Sequence, residues 1–371
     1  MVDDSLPPDS GQRPVKMLLR TTKGRGAVSN PQGRFAFDRR KAFDDGWYRE
    51  DGEPPPLKTV VTIEAARSII ARNQSPDIFF DQSINPYRGC EHGCIYCYAR
   101  PNHSYVGLSP GLDFESRLFA KTNAAELLRH ELSARGYRCD PIAIGTVTDA
   151  YQPIEREYRI TRQLLEVLSE CSHPVSLITK SSLIERDIDL LAPMARKGMV
   201  MVNITLTTLD PGLASSWEPR AAAPWRRLET IRRLSEAGIP VGVSVSPIAP
   251  FINEPELEKV LEAAQQAGAR SAHYIVLRLP WELKDVFSDW LSEYFPQRAT
   301  RVMNRITEMR GGDKLNDPRF FSRMKGEGAW AELIHMRFEI AARKLGLNRD
   351  RLKLRTDQFV PPRSDSQMGL F

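Results

Sequence analysis

Five short runs of β-branched and aliphatic residues recur through the middle of the chain. They are PIAIGTV (141–147), VSLIT (175–179), MVMVNITL (199–206), VGVSVS (241–246) and HYIVLRL (273–279). A sixth, less regular run lies within IFFDQSINPYRG (78–89). Runs of this length read as buried strands, and starts about 25–40 residues apart leave room for one helix between each pair. Strand, helix, strand in strict alternation demands a parallel sheet with right-handed crossovers. Six such units curl into a partial or complete barrel.

The intervening segments carry helical periodicity. In NAAELLRHELSARG, Asn123 followed by Glu126 predicts a capping box, and Gly136 a stop. SLIERDIDLLAPMARKG sets Leu183, Ile184, Ile188, Leu191 and Met194 on one stripe. PWRRLETIRRLSEAG and EPELEKVLEAAQQAG repeat the pattern, the latter opened by Asn253 and Pro255 and closed by Gly268. Beyond Pro280 the alternation stops, and ELKDVFSDWLSEYFP and WAELIHMRFEIAARKLG read as amphipathic helices. The predicted fold is α/β: a partial (β/α)6 TIM-like barrel over 61–280, after an irregular N-terminal extension (1–60). A basic helical region (281–357) and a flexible tail (358–371) follow.

Charge and cysteine usage narrow the function. The net charge is only +5, but from Arg298 to Arg363 sixteen Lys/Arg face eight Asp/Glu. That local excess marks either a solvated helical surface or a polyanion-binding face. The N-terminus has no basic start leading into an apolar run, and no apolar stretch is long enough to span a bilayer. A secretory leader and a membrane anchor are therefore not expected, and the cytoplasm is. Three of the five cysteines crowd into GCEHGCIYCYARP (89–101), which does not suit a secreted disulfide framework.

Chemistry in a βα barrel sits at the C-terminal ends of the strands. Several predicted strands place polar residues there at period two: Thr146 and Thr148 with Asp149 beyond, Thr179 and Lys180, Asn203, Thr205 and Thr207, Ser244 and Ser246, and Arg278. A polar, ligand-holding lumen follows. The cysteine loop comes directly after the first strand, at that same end. Cys90, Cys94 and Cys97 are spaced Cys-x3-Cys-x2-Cys, and Gly89 and Gly93 let the backbone curl around a bulky group. Three thiolates leave one iron of a 4Fe–4S cluster open to a further ligand. Zinc is the alternative, with His92 or His103 as fourth ligand. Cys139 and Cys171 fall in helix-to-strand connections at the opposite end and read as ordinary small residues.

Cys-x3-Cys-x-aromatic-Cys after the first strand of a (β/α)6 barrel resembles the radical SAM superfamily, over roughly residues 80–280. The resemblance implies that Cys90, Cys94 and Cys97 hold a 4Fe–4S cluster and that S-adenosylmethionine binds its open iron. Reductive cleavage then gives methionine and a 5′-deoxyadenosyl radical that abstracts hydrogen from a substrate. Tyr96 matches the aromatic near the adenine, and SPIAPFINE resembles the adenine-contacting stretch after the fifth strand, beginning at Ser246. Thr148 and Asp149 stand where the family carries its amino-group-binding residues, and Lys180, Asn203 and Thr205 complete the expected cofactor contacts.

Within the superfamily, NPYRGCEHGCIYCYARP, TDAYQPIE, TKSSLIERDIDLL and EPRAAAPWRRLETIRRLSEAGIPV resemble the spore photoproduct lyase-like, DNA repair photolyase-type branch. That implies DNA as substrate and a flavodoxin- or ferredoxin-like one-electron donor. The lyase's hydrogen-donating cysteine has no counterpart in GTVTDAYQP. Tyr98 follows the last cluster cysteine, as a tyrosine does in the lyase, and is the candidate for relaying a hydrogen atom.

The chain ends QMGLF, which resembles the bacterial sliding-clamp-binding peptide. Gln367 would fix the register while Met368, Leu370 and Phe371 fill an apolar pocket. The expected function is thus radical SAM chemistry on DNA, tethered to the clamp. The alternatives are the same chemistry on RNA, a peptide or a small molecule, and a non-catalytic, metal-stabilised protein that binds nucleic acid or the clamp.

Overall fold

The computed structural model describes residues 24–35, 57–350 and 352–362. Its strands, in chain order, are β1 (Val60–Ile63), β2 (Ile70–Arg72), β3 (Gln82–Ile84), β4 (Tyr87–Arg88), β5 (Arg117–Ala120), β6 (Ile142–Ile144), β7 (Val175–Thr179), β8 (Val200–Thr205), β9 (Val241–Ile248) and β10 (Ser271–Val276). Seven of them form one sheet in the order β10-β9-β8-β7-β6-β3-β2. Pairing is parallel from β3 through β10, and β2 adds antiparallel to the outer edge of β3. The six expected strands are all present, and β10 begins two residues earlier than its hydrophobic run suggested. Among the described residues β10 and β2 do not pair, so the barrel is partial and keeps an open seam.

The sheet's outer face meets a ring of helices. Leu164, Leu165 and Leu168 of helix Ile160–Glu170, Leu191 of helix Ile188–Arg196, Ile231 and Leu234 of helix Pro224–Glu236, and Val260 and Leu261 of helix Leu257–Gln266 are all fully buried there. They close on Ile142, Val175, Val202 and Val243 to form the main core. A side chain of this kind contributes about 1.5–3 kcal/mol on leaving water. A second core joins helix Leu283–Tyr294 to the cysteine loop: Phe287 and Trp290 pack on Trp217, which packs on Tyr96. The C-terminal helical region therefore braces the loop.

Two local expectations fail. Asn123 precedes helix Ala124–Leu132 but does not cap it, because its amide exchanges two hydrogen bonds with the backbone of Ala66. A second, three-stranded sheet, β1-β5-β4, flanks the cysteine loop. Its strands are two to four residues long and partly exposed, too short for periodicity to mark them.

Candidate active site

The cysteine loop leaves β4 through Gly89, whose φ is +77°. A Cβ there would stand 2.9 Å from the Phe114 carbonyl oxygen and 2.7 Å from the Leu118 side chain, so only glycine fits. Cys90 N–H then donates to Phe114 O at 3.0 Å. The three cysteines carry free thiols; Cys90 and Cys94 are buried and Cys97 is half-buried. Burial, with Asp149 and Cys94 nearby, pushes the Cys90 thiol well above its ordinary range. Burial pushes Cys94 up to about 12. A buried thiolate needs a positive partner, which cluster iron supplies as the proton leaves.

Three sets of bonds hold the loop. The guanidinium of Arg100, three residues past Cys97, is fully buried and uses all its donors on Cys94 O, Gly93 O, Pro110 O, Gly111 O and the Glu115 carboxylate. Glu115 also accepts the N–H groups of Gly26 and Ala27, which clamps the N-terminal segment 24–35 over the loop. Secondly, Gln152 accepts Glu91 N–H at 2.8 Å and donates to Gly89 O and Thr148 Oγ1. Thirdly, Ile95 N–H donates to Trp217 O, and Arg220 N–H to His92 O.

The expected site residues separate into two groups. Thr148 and Asp149 do not lie on a strand face, because Gly145, at φ +94°, turns the chain just after β6. Thr148 donates its hydroxyl to Gly89 O. Asp149 accepts from Thr179 Oγ1, Lys180 N and Tyr151 N and sits 3.2 Å from His92 Nδ1. Burial would raise its carboxyl, yet His92, Lys180 and Thr179 hold it far below the ordinary range. Both side chains are spent on joining the cysteine loop to the ends of β6 and β7. His103 Nε2 meets Arg117 O at 2.8 Å, so neither histidine named for a zinc site turns to the cysteines. Among the described residues no three His, Cys, Asp or Glu are placed to hold one metal ion.

The second group faces the lumen, and its side chains make no hydrogen bond to the protein among the described residues. Register aligns Asn203 with Gly242 and Thr205 with Ser244, and Ser244 with His273. Ser244 Oγ and Ser246 Oγ are buried with no hydrogen bond. Asn203, Thr205 and the Lys180 ammonium make no side-chain hydrogen bond among the described residues. Lys180 Nζ lies 5.7 Å from the Tyr96 ring centre. Burial would lower the ammonium, but Cys94, Glu218 and Asp149 around it raise it. Unpaired buried polar groups are costly. A lumen lined with them beside three free thiols suits a bound cluster and a charged, hydroxyl-rich cofactor.

Tyr96 is buried and its hydroxyl donates to Glu218, which Thr207 Oγ1 also reaches at 3.1 Å and which pairs with the buried Arg227. Tyr98 is exposed, and its hydroxyl donates to Thr146 O. Desolvation around its hydroxyl and the neighbouring Cys97 push that group up to about 12. Sequence reasoning missed Arg100, Glu115, Gln152, Glu218 and Arg227. Buried and charged or amide-bearing, they look like ordinary surface residues until the chain folds. Gln367, Met368, Leu370 and Phe371 lie outside the described residues.

Residues 84–264 match the family model described as the radical SAM superfamily. An uncharacterized protein of Mycobacterium tuberculosis is 35% identical over 224 residues, covering 60% of this chain and 66% of that protein. One from Methanocaldococcus jannaschii is 30% identical over 173 residues, covering 47% and 62%. The radical SAM Nalpha-GlyT isomerase of Pseudomonas phage M6 is 24% identical, covering 63% of this chain and 48% of that enzyme. Matches thus span less than two thirds of these relatives' length. Among solved structures, a point mutant of spore photoproduct lyase superposes with a TM-score of 0.51 at 13% identity, covering 77% of this chain and 80% of that one. The partial barrel, the three-cysteine loop and the family match agree: residues 84–264 match the radical SAM superfamily, whose members use a 4Fe–4S cluster and S-adenosylmethionine.

Proposed function

We propose that this protein is a radical SAM enzyme acting on DNA, in repair or base modification. The observation that carries the radical chemistry is the pairing of three free thiols on a rigid loop with a lumen whose hydroxyls have no partner. Cys90, Cys94 and Cys97 would hold the cluster. Lys180, Asn203, Thr205 and Ser246 would bind S-adenosylmethionine: the ammonium takes its carboxylate, and the amide and hydroxyls take its hydroxyl and amine groups. When bound, the pair supplies reductive cleavage to methionine and a 5′-deoxyadenosyl radical.

The chain's own residues do the rest. Arg100 and Gln152 fix the loop's carbonyls and so fix where the thiolates point. Thr148 and Asp149 act by positioning, since their polar atoms are already engaged. Tyr96, locked by Trp217 and Glu218, would line the cofactor pocket. Tyr98, neutral at physiological pH, would relay a hydrogen atom. The basic surplus after Arg298 favours a nucleic-acid substrate over a peptide. A flavodoxin- or ferredoxin-like protein would deliver the electron, and the C-terminal QMGLF would dock on the sliding clamp.

The test is anaerobic reconstitution with iron and sulfide, reduction with dithionite in the presence of S-adenosylmethionine, and assay of 5′-deoxyadenosine. Product that disappears in Cys94→Ala supports the reading. One zinc per chain and no product would overturn it and leave a metal-stabilised binding protein. Removal of Gln367–Phe371 should abolish clamp retention on a sizing column and leave 5′-deoxyadenosine formation intact.

A further inference from the structure

The open seam between β10 and β2 is covered by the loop 311–328 instead of by strand pairing. Two devices hold that loop. Arg310, 2% exposed, donates to Val276 O and Leu277 O at the end of β10 and to Ser322 O and Arg323 O in the loop. Across the seam, Asp77 accepts both Arg323 Nε and a terminal nitrogen, and also Phe321 N–H at 3.0 Å. The latch side chains are 4% and 15% exposed.

So firm a mounting presents unusual groups. Phe321 has φ +67°, a conformation that side-chain-bearing residues avoid, yet its ring is 66% exposed. Phe79, two residues past Asp77, is 75% exposed with its ring 6.5 Å from that of His273. His273 alternates with the outward-packed Tyr274 and so faces the lumen. Strained backbone that exposes an apolar ring gains nothing for folding, and such outliers cluster where function maintains them. Arg278, two residues past β10, lies 5.0 Å over the Tyr98 ring. Among the described residues its guanidinium makes no hydrogen bond or direct ion pair: the nearby Asp77 carboxylate is held by Arg323. A half-buried guanidinium fork with its donors unspent is a site for an oxyanion, and phosphate matches it bidentately.

We propose that the seam is the DNA-recognition subsite: Arg278 grips a backbone phosphate beside Tyr98, and the Phe321 ring stacks on an unpaired base, with Phe79 as the neighbouring apolar wall. This rests on the nucleic-acid reading above and adds which residues read the strand. A flat base needs an exposed π-face, and base–aromatic stacking is sequence-tolerant. Phosphate contact positions the strand without reading sequence. The subsite thus takes an unstacked or single-stranded nucleotide.

The experiment uses the reconstituted full chain and a short fluorescein-labelled oligonucleotide, single-stranded and duplex. Fluorescence anisotropy across a salt series gives affinity and its salt slope. A 2-aminopurine within the same strand reports stacking. Arg278→Ala should weaken single-strand binding about tenfold and flatten the salt slope by roughly 0.7, the share of one phosphate contact. Arg278→Lys should restore the slope in part, and Lys259→Ala, which removes an exposed charge on helix Leu257–Gln266, should not alter it. Phe321→Ala should leave the slope intact and reduce the 2-aminopurine change, while Phe321→Tyr restores it. Iron content and cluster absorbance confirm that each variant is folded. Wild-type binding that neither Arg278→Ala nor Phe321→Ala alters would overturn the subsite and leave the nucleic-acid reading standing. A wild type that retains no oligonucleotide overturns both.

Discussion

The chemistry of the cysteine loop depends on residues that are not cysteines. Arg100 fills five acceptor sites at once, two of them the carbonyls of Gly93 and of the second cluster cysteine, Cys94. Removing it would take the ion-pair partner from the fully buried Glu115 carboxylate and leave it only the Gly26 and Ala27 N–H groups among the described residues. Loss of one partner of a buried ion pair costs about 3–5 kcal/mol. Arg100→Met should lower the melting temperature sharply and leave less iron bound after reconstitution; unchanged iron content would show that the loop holds without its clamp. Gly26 is as tightly placed. A Cβ there would lie 1.9 Å from Gly93 O, backbone against backbone. Gly26→Ala should therefore displace segment 24–35 and expose the cluster, measured as faster bleaching in air. Nothing local in the sequence tells that Gly26 meets Gly93, 67 residues later.

At the scale of elements, legibility followed length and burial. VSLIT reads as a strand and is one, because four apolar or β-branched residues around Ser176, all but Ile178 buried, fit a strand covered on both faces. HYIVLRL misplaced the end of β10: Leu277, Arg278 and Leu279 leave the sheet to meet Arg310 and the covering loop, a tertiary bond that hydrophobicity does not encode. That loop stores strain. Phe321→Gly should raise stability by about 1 kcal/mol, because glycine adopts φ +67° freely and the exposed ring buries little. A denaturant midpoint that falls instead would mean that the ring packs in solution. The Asp77–Arg323 latch has a pH signature. Burial would raise the Asp77 carboxyl, but the Arg323 bonds and the Phe321 N–H leave it below its ordinary value. The folded state thus resists protonation more than the unfolded chain does. The latch's stabilisation is complete above the ordinary carboxyl range, about pH 4, and fades as pH falls through the lower folded value. Asp77→Asn should abolish that part of the acid-unfolding difference.

Over the whole molecule, three histidines set a second acid limit. Burial pushes His103, His173 and His273 each down to about 4. The unfolded chain takes up these protons from about pH 6.5 downward, while the folded chain does so only near the lower values. Their contribution is therefore full above about pH 6.5 and declines toward pH 4. Melting temperatures at neutral pH and near pH 5 should differ, and a flat profile would place these imidazoles in solvent. No helix among the described residues is long and apolar enough to cross a membrane. The sequence by itself determined the α/β alternation and the three-cysteine loop, because both are local: a strand needs its own apolar run, and a tight ligand loop needs its own spacing. Only the tertiary structure decided that the barrel stays open. It alone showed that Thr148 and Asp149 tie the loop down while Ser244 and Ser246 remain unpaired in the lumen, and that Arg278 makes no hydrogen bond or direct ion pair among the described residues at the seam. Whether a polar side chain is spent or free depends on partners distant in sequence, which folding alone brings together.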